Sequence, residues 1–311
     1  MKEFKLTMRD KQVLHMTVWD DVKKPIGVMQ LVHGSCEEAS RYDEFAKYLN
    51  QNGYIVVADD HRGHGHTANL KENELGWFAD EDGWQKIIDD LKEVNDYIKS
   101  NFKDLPITIF GHSMGSFMVR HYLTLYGNTV TKAIICGTAE HSALSLKLGI
   151  MLSKKYQKKH GAKEVPEKIW ELSYKNLNKR FKDIPNATGF EWMNSSPEEI
   201  QAFIDNPRVG QKFSASAFKD MFTGLAYIRK KSNYKQTPIN LPLFFIAGLA
   251  DPVGNYGKSV YKVRKKYLRA GYNTKLKLYP QLRHEILLEP KQFSDIVKND
   301  ILNFLNSETS K

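Results

Sequence analysis

Gly111-His112-Ser113-Met114-Gly115 has the residue types and spacing of an activated nucleophile. The apolar run ITIFG at 107–111 predicts a buried strand before it, and SFMVRHYLTLYG at 116–127 predicts a helix after it. In that setting a G-x-S-x-G turn holds a serine hydroxyl clear of the sheet. The turn is tight and strained, and glycine two residues before and two after the serine removes the side chains that would collide. The Met114 amide then opens a helix, where a developing oxyanion is stabilised. The chemistry expected of Ser113 is nucleophilic attack on an acyl carbon.

A serine hydroxyl needs a base, and the base needs an orienting group. In this architecture the partners follow in the order serine, acid, histidine. Asp251 lies just beyond the strand-like run LPLFFIAG, at a C-terminal strand end where ligands bind in open α/β sheets. His284 follows the run TKLKLYP, in the loop QLRHEIL. His15, His121, His141 and His160 fall in a hairpin, a helix and an inserted segment, and compete poorly. The second oxyanion donor is expected in the loop after an early strand. His33-Gly34-Ser35 closes such a strand, which assigns the role to the Ser35 N–H, with Cys36 as runner-up. His33, Gly34, Cys36 and His112 are expected around the substrate, His33 mainly as a brace of the loop. In DDHRGHG, Asp60, Arg62 and His64 read as a loop-bracing ion pair rather than a metal or phosphate site, because the glycine pattern is not a phosphate cradle.

The elements that must position these residues alternate. EFKLTMR and LHMTVWD have the period of an antiparallel edge hairpin. IGVMQLVHG at 26–34 and YIVVADD read as strands buried on both faces. FAKYLNQNG at 45–53 and WQKIIDDLKEVNDYIKSNF read as helices, the latter through Ile87, Ile88, Leu91, Val94 and Ile98. TKAIICGT, LPLFFIAG and TKLKLYP continue the strands, with helices expected at about Ser259–Ala270 and Gln292–Asn306. Strand–helix alternation predicts an α/β fold with a mostly parallel central sheet. The rhythm breaks after Thr138. Residues 1–138 and 238–311 are expected to form the core, and 139–237 a helical cap punctuated by Pro166, Pro185, Pro197 and Pro207. Leu144, Leu146, Leu148, Ile150, Met151, Leu152, Trp170, Phe213 and Phe222 in this cap are expected to pack helix on helix, with a share facing an apolar acyl tunnel. The final SETSK reads as a frayed tail.

With 41% hydrophobic residues, the chain can bury a substantial core, which excludes wholesale disorder. The beginning MKEFKLTMRD has no apolar stretch or cleavage site, and no apolar run approaches a membrane span. These features predict a cytoplasmic protein. Cys36 and Cys136 share no metal-type spacing with histidines, so neither a disulfide framework nor a metal is expected. No organic cofactor and no nucleic-acid module is indicated. The net charge of +10 is concentrated: residues 138–240 carry 15 Lys and 3 Arg against 10 acidic residues. Lys154, Lys155, Lys158 and Lys159 read as a solvated helix face, with weak contact to an anionic lipid surface as the alternative.

HGSCEEASRYDEFAKYL, ADDHRGHGHT, GHSMGS, GLADPVG and LRHEIL together resemble the monoacylglycerol lipase and lysophospholipase branch of the α/β-hydrolases, grouped with serine aminopeptidase-like hydrolases. The similarity covers most of the chain, and Arg41-Tyr42 and the HRGHG loop are more specific than the nucleophile motif alone. The resemblance implies an α/β-hydrolase fold, Ser113, Asp251 and His284 as triad, and Ser35 and Met114 as oxyanion amides. It implies a small-molecule ester or single-chain lipid as substrate: a monoacylglycerol, a lysophospholipid or a short-chain ester. The cap departs from the animal lipases in being longer and more basic. Two alternatives stay open. An aminopeptidase would need a cap carboxylate for the substrate amine, for which Glu140, Glu191 and Asp220 are candidates. A catalytically silent binding protein would keep only the fold.

Overall fold

The computed structural model describes residues 1–308 of the chain. One eight-stranded sheet forms its centre: β1 (Lys2–Thr7), β2 (Val13–Trp19), β3 (Gly27–Val32), β4 (Tyr54–Asp60), β5 (Ile107–His112), β6 (Lys132–Cys136), β7 (Leu243–Gly248) and β8 (Thr274–Tyr279). Their spatial order is β1-β2-β4-β3-β5-β6-β7-β8. The β1–β2 hairpin and the β2–β4 pair are antiparallel, and every other pair is parallel. The expected edge hairpin and the parallel alternation are both present. The molecule has the α/β-hydrolase fold.

Strands β3 to β7 are buried along their whole length because helices cover both faces. Met29, Leu31, Val56, Phe110 and Ile134 meet α1 (Asp43–Gln51) and the C-terminal α10 (Lys291–Asn306) through Phe45, Leu49, Val297 and Ile301. The alternate residues Val28, Val32, Val57, Ile109 and Ile135 meet α2 (Gly83–Asn101), α3 (Met114–Tyr126) and α9 (Lys258–Arg269) through Leu91, Val94, Val119 and Val263. This period-two division requires apolar residues at every strand position. Each such side chain contributes about 1.5–3 kcal/mol when fully buried. The outermost strand β8 instead alternates, with Lys275 and Lys277 turned toward solvent, which protects the sheet edge. Lys132 secures the end of α10 by donating to the carbonyls of Phe304 (3.0 Å) and Leu305 (2.6 Å). The expected frayed tail is ordered as far as Ser307, whose N–H donates to Phe304 O; Thr309 to Lys311 lie outside the described residues.

Between β6 and β7 the described chain contains only helices and loops: α4 (Ala143–His160), α5 (Glu167–Tyr174), α6 (Pro197–Asp205), α7 (Ala215–Ile228) and the short α8 (Lys231–Tyr234). Helix α7 packs on α4 and also on α2 and α3. Phe213, Phe218 and Leu225 join the main core with Trp84 and Phe78. Trp170 and Phe222 pack against that same cluster. Other cap apolar groups depart from the expected helix-on-helix packing. Leu144, Leu148 and Met151 on α4 are 78%, 49% and 58% exposed.

Candidate active site

The turn at Ser113 is a single residue long. Strand β5 ends at His112, α3 begins at Met114, and Ser113 between them has φ 51° and ψ −118°. Positive φ at a non-glycine residue costs about 1–3 kcal/mol and persists only where the surroundings enforce it. Here they do. The Ser113 N–H donates to Cys136 O (2.9 Å), and Ser113 O accepts from the Ser116 N–H (2.9 Å) and hydroxyl (2.6 Å). A Cβ on Gly111 would stand 2.4 Å from Gly115 O. A Cβ on Gly115 would stand 2.2 Å from Val32 O. Gly111 therefore lets the turn close on itself, and Gly115 lets it press against the end of β3.

Asp251 and His284 occupy two loops joined by their backbones. Past β7, Leu249 and Ala250 donate to Tyr279 O and Leu282 O, both at 2.9 Å. Gly248 lets the loops meet, since a Cβ there would lie 2.0 Å from Leu282 O. Asp251 Oδ1 accepts from the Val253 N–H at 2.8 Å. Asp251 Oδ2 lies 3.0 Å from His284 Nδ1, at ion-pair distance though off the line of a hydrogen bond. Catalytic contacts are often misaligned in this way until substrate binds. Both side chains are buried. The His284 ring packs 4.7 Å from that of His112, the residue before Ser113. The Trp192 ring lies 5.3 Å from the His284 ring, tilted by 40°.

The loop after β3 completes the cluster. Gly34 lies beside Ser113, where a Cβ would be 3.1 Å from Ser113 Cβ. Among the described residues, neither the Ser35 N–H nor the Met114 N–H has a hydrogen-bond partner. His33 and Cys36, expected around the substrate, have their polar atoms engaged with protein. His33 Nδ1 donates to Gly34 O (2.8 Å), and Nε2 accepts from the His61 N–H (3.0 Å). Burial, with His61 and His64 close by, pushes the His33 imidazole well below its ordinary range, so it stays neutral. The Cys36 thiol donates to Gln211 O (2.9 Å), and its carbonyl accepts from the Gly210 N–H (2.8 Å), which fastens the cap to this loop. Burial pushes that thiol up, away from thiolate chemistry. A second fastening joins the Glu285 N–H to Met193 O (2.8 Å). Ser113 is only 9% exposed.

The HRGHG loop braces the site differently from the expected pairing. Arg62 forks onto Asp90 (2.6 and 2.8 Å) and reaches Asp10 (2.8 Å). The Asp60 carboxylate accepts from the backbone N–H groups of Ala39 and His66 (both 2.8 Å). No cluster of three or more metal-ligand side chains occurs among the described residues. Sequence reasoning missed Glu37 and Glu285, which are buried around Arg41 beside the site. The available signal was an acid following the HGS turn, with arginine four residues on.

A family model described as serine aminopeptidase, S33 matches residues 23–291. The monoacylglycerol lipase of Mycolicibacterium smegmatis is 25% identical over 93% of this chain and 91% of its own length. The monoglyceride lipase of Mus musculus is 34% identical over 110 residues, covering 35% of this chain and 34% of that protein. A highly thermostable carboxyl esterase from Bacillus coagulans, solved in complex with glycerol, superposes with a TM-score of 0.91 at 27% identity over 99% of both chains.

Proposed function

The chain belongs to the serine aminopeptidase S33 family of α/β-hydrolases and is a carboxylic ester hydrolase, and we propose that it cleaves esters bearing one acyl chain through an acyl-enzyme on Ser113. The observation that carries this proposal is the buried Asp251–His284 pair, packed against the residue that precedes the strained Ser113. In the proposed cycle Ser113 Oγ attacks the ester carbonyl and His284 takes the hydroxyl proton. Asp251 stabilises the imidazolium. The N–H groups of Ser35 and Met114 receive the oxyanion, in a site dry enough to strengthen both bonds. His284 returns the proton to the leaving alcohol, then deprotonates the water that releases the acid. The cycle needs no metal or organic cofactor.

The acyl chain is proposed to lie under the cap, with Trp192 over the base as an apolar wall. The carboxylates that an aminopeptidase would use are occupied. Glu140 is paired with Lys266. Glu191 accepts from Thr188, Gly189 and Asn178. Asp220 accepts from the Gly83 N–H at 2.7 Å. That distribution favours an ester over an N-terminal amine.

The outer face of α4 supports delivery from an anionic lipid surface. Leu144, Leu148, Met151 and Lys155 follow one another at helical spacing on one exposed stripe, flanked by Lys154, Lys158 and Lys159. Apolar residues would enter the interface, and each lysine would add about 1 kcal/mol near such a surface. One panel tests substrate and surface together: p-nitrophenyl esters of graded length, monoacylglycerols, lysophospholipids and aminoacyl amides, each at low and high salt. Single-chain esters should turn over and aminoacyl amides should not. Monomeric esters should be indifferent to salt, whereas substrate in anionic vesicles should be cleaved more slowly as salt rises. Replacing Lys154, Lys155, Lys158 and Lys159 by glutamine should flatten that fall. Equal salt responses for both substrate forms would remove the lipid-docking role, and preferential cleavage of the amides would remove the ester assignment.

A further inference from the structure

Glu37, a carboxylate that the proposed cycle does not use, lies against Gly34 and His112 and is 2% exposed. Its Oε1 accepts from the Gly34 N–H (2.5 Å), the Tyr42 hydroxyl (3.0 Å) and His112 Nδ1 (3.0 Å). Its Oε2 accepts from Arg41 (3.3 Å). Arg41 also forks onto Glu285 at 2.5 and 2.9 Å, bridging 244 residues of sequence. Glu285 is the neighbour of His284, and His112 Nε2 donates to the His284 carbonyl at 3.2 Å.

The protonation states follow from the partners. Both nitrogens of His112 face acceptors, one a carboxylate and one a carbonyl, an arrangement that favours hydrogen on both. Burial alone would push His112 down, but the hydrogen bond and charge of Glu37 outweigh it and raise it. Burial likewise pushes Glu37 up, and His112 and Arg41 outweigh that to hold it ionised. Glu37, Arg41, His112 and Glu285 thus share a nearly dry polar cluster. Apolar residues of similar volume would be cheaper to bury than such a cluster, so its value lies in the geometry it imposes.

That geometry is read at the oxyanion turn. A trans peptide is planar, with its C=O and N–H on opposite sides. His33 holds Gly34 O, so the N–H of the same peptide unit, that of Ser35, points away from His33. Glu37 holds the preceding peptide through the Gly34 N–H. The turn has no slack, since a Cβ on Gly34 would sit 2.5 Å from Glu37 Oε1.

We infer that Glu37 is a positioning residue shared by the oxyanion turn and the base loop. It fixes Gly34 directly and the backbone at His284 through His112 and through Arg41–Glu285, and so sets the spacing of oxyanion donor, nucleophile and base. This rests on the roles given above to Ser113, Ser35 and His284.

The test is Glu37→Gln, which keeps the volume and one acceptor oxygen but removes the charge. Fluorophosphonate titration counts the folded, reactive sites, so that rates refer to them alone. Per titrated site, kcat on a soluble p-nitrophenyl ester should fall about 10²-fold, the scale of a 1 Å misplacement at a reacting centre. KM should stay within about twofold, because the lost interaction acts in the transition state. The Ki of a trifluoromethyl ketone, whose tetrahedral adduct places an oxyanion in the hole, should rise by the factor by which kcat/KM falls. A purely structural role would lower the titrated fraction and leave Ki unchanged. Tyr42→Phe, which removes one donor to Glu37, should give the same correlated losses on a smaller scale, and it decides the matter if Glu37→Gln does not fold. Unchanged kcat and Ki per titrated site overturn the inference. Wild-type protein that neither the fluorophosphonate labels nor the ketone inhibits overturns the acyl-enzyme assignment beneath it.

Discussion

Ser113→Ala is expected to lower kcat for every ester substrate by about 10⁶-fold while the melting temperature stays near that of the wild type. The loss is large because nucleophile, base and acid act as one unit, so removing the nucleophile forfeits the whole covalent route. The fold should survive because the contacts that hold the turn are made by backbone. The Ser113 N–H to Cys136 O and the Ser116 N–H to Ser113 O bonds remain available to alanine. The neighbouring glycines still relieve the collisions at either end of the turn. The check pairs a kinetic assay, with contaminating esterase removed, with a thermal melt. A variant retaining more than about one hundredth of wild-type kcat would be incompatible with a triad in which Ser113 is the nucleophile.

Asp251→Asn should cost about 10⁴-fold in kcat. The asparagine oxygen can keep the bond from the Val253 N–H that Asp251 Oδ1 accepts at 2.8 Å, so the loop should hold its shape. What changes is the atom facing His284 Nδ1, 3.0 Å away. A carboxylate oxygen favours hydrogen on Nδ1 and leaves Nε2 free to accept the serine proton. An amide nitrogen favours the opposite tautomer and gives no charge to stabilise the imidazolium. Single-turnover kinetics should locate the loss in acylation, with substrate binding preserved. Loss through KM alone would mean that Asp251 binds substrate and does not orient the base.

How much of this was legible in the sequence depended on how local the signal was. Strands β3 to β7 announce themselves because helices on both faces demand unbroken apolar runs. The turn at Ser113 is written in two glycines whose missing Cβ atoms are required by backbone oxygens 2.2 and 2.4 Å away. Chain order and strand ends singled out Asp251 and His284, and the fold brings the two side chains to 3.0 Å. Arg41 and His112 drew notice separately, but their joining with Glu37 and Glu285 into one cluster could not be read, since its closing contact spans 244 residues. Arg62 was expected to brace its own loop, yet it reaches Asp90 and Asp10, because nothing local records which carboxylate the folded chain brings near. On α4, Leu144, Leu148 and Met151 have the spacing of a core-facing stripe. Helical period marks a shared face but not what that face meets, and here it meets solvent.

The most direct test of the acyl-enzyme is to catch it. Wild-type protein turning over a slowly deacylating p-nitrophenyl ester should be quenched in acid, digested and weighed by mass spectrometry. The peptide containing Ser113 should carry the mass of one acyl group, appearing with the p-nitrophenol burst and disappearing when substrate is exhausted. Steady turnover with the Ser113 peptide unmodified throughout, or an acyl group accumulating on another residue at the rate of the burst, would contradict the proposed mechanism.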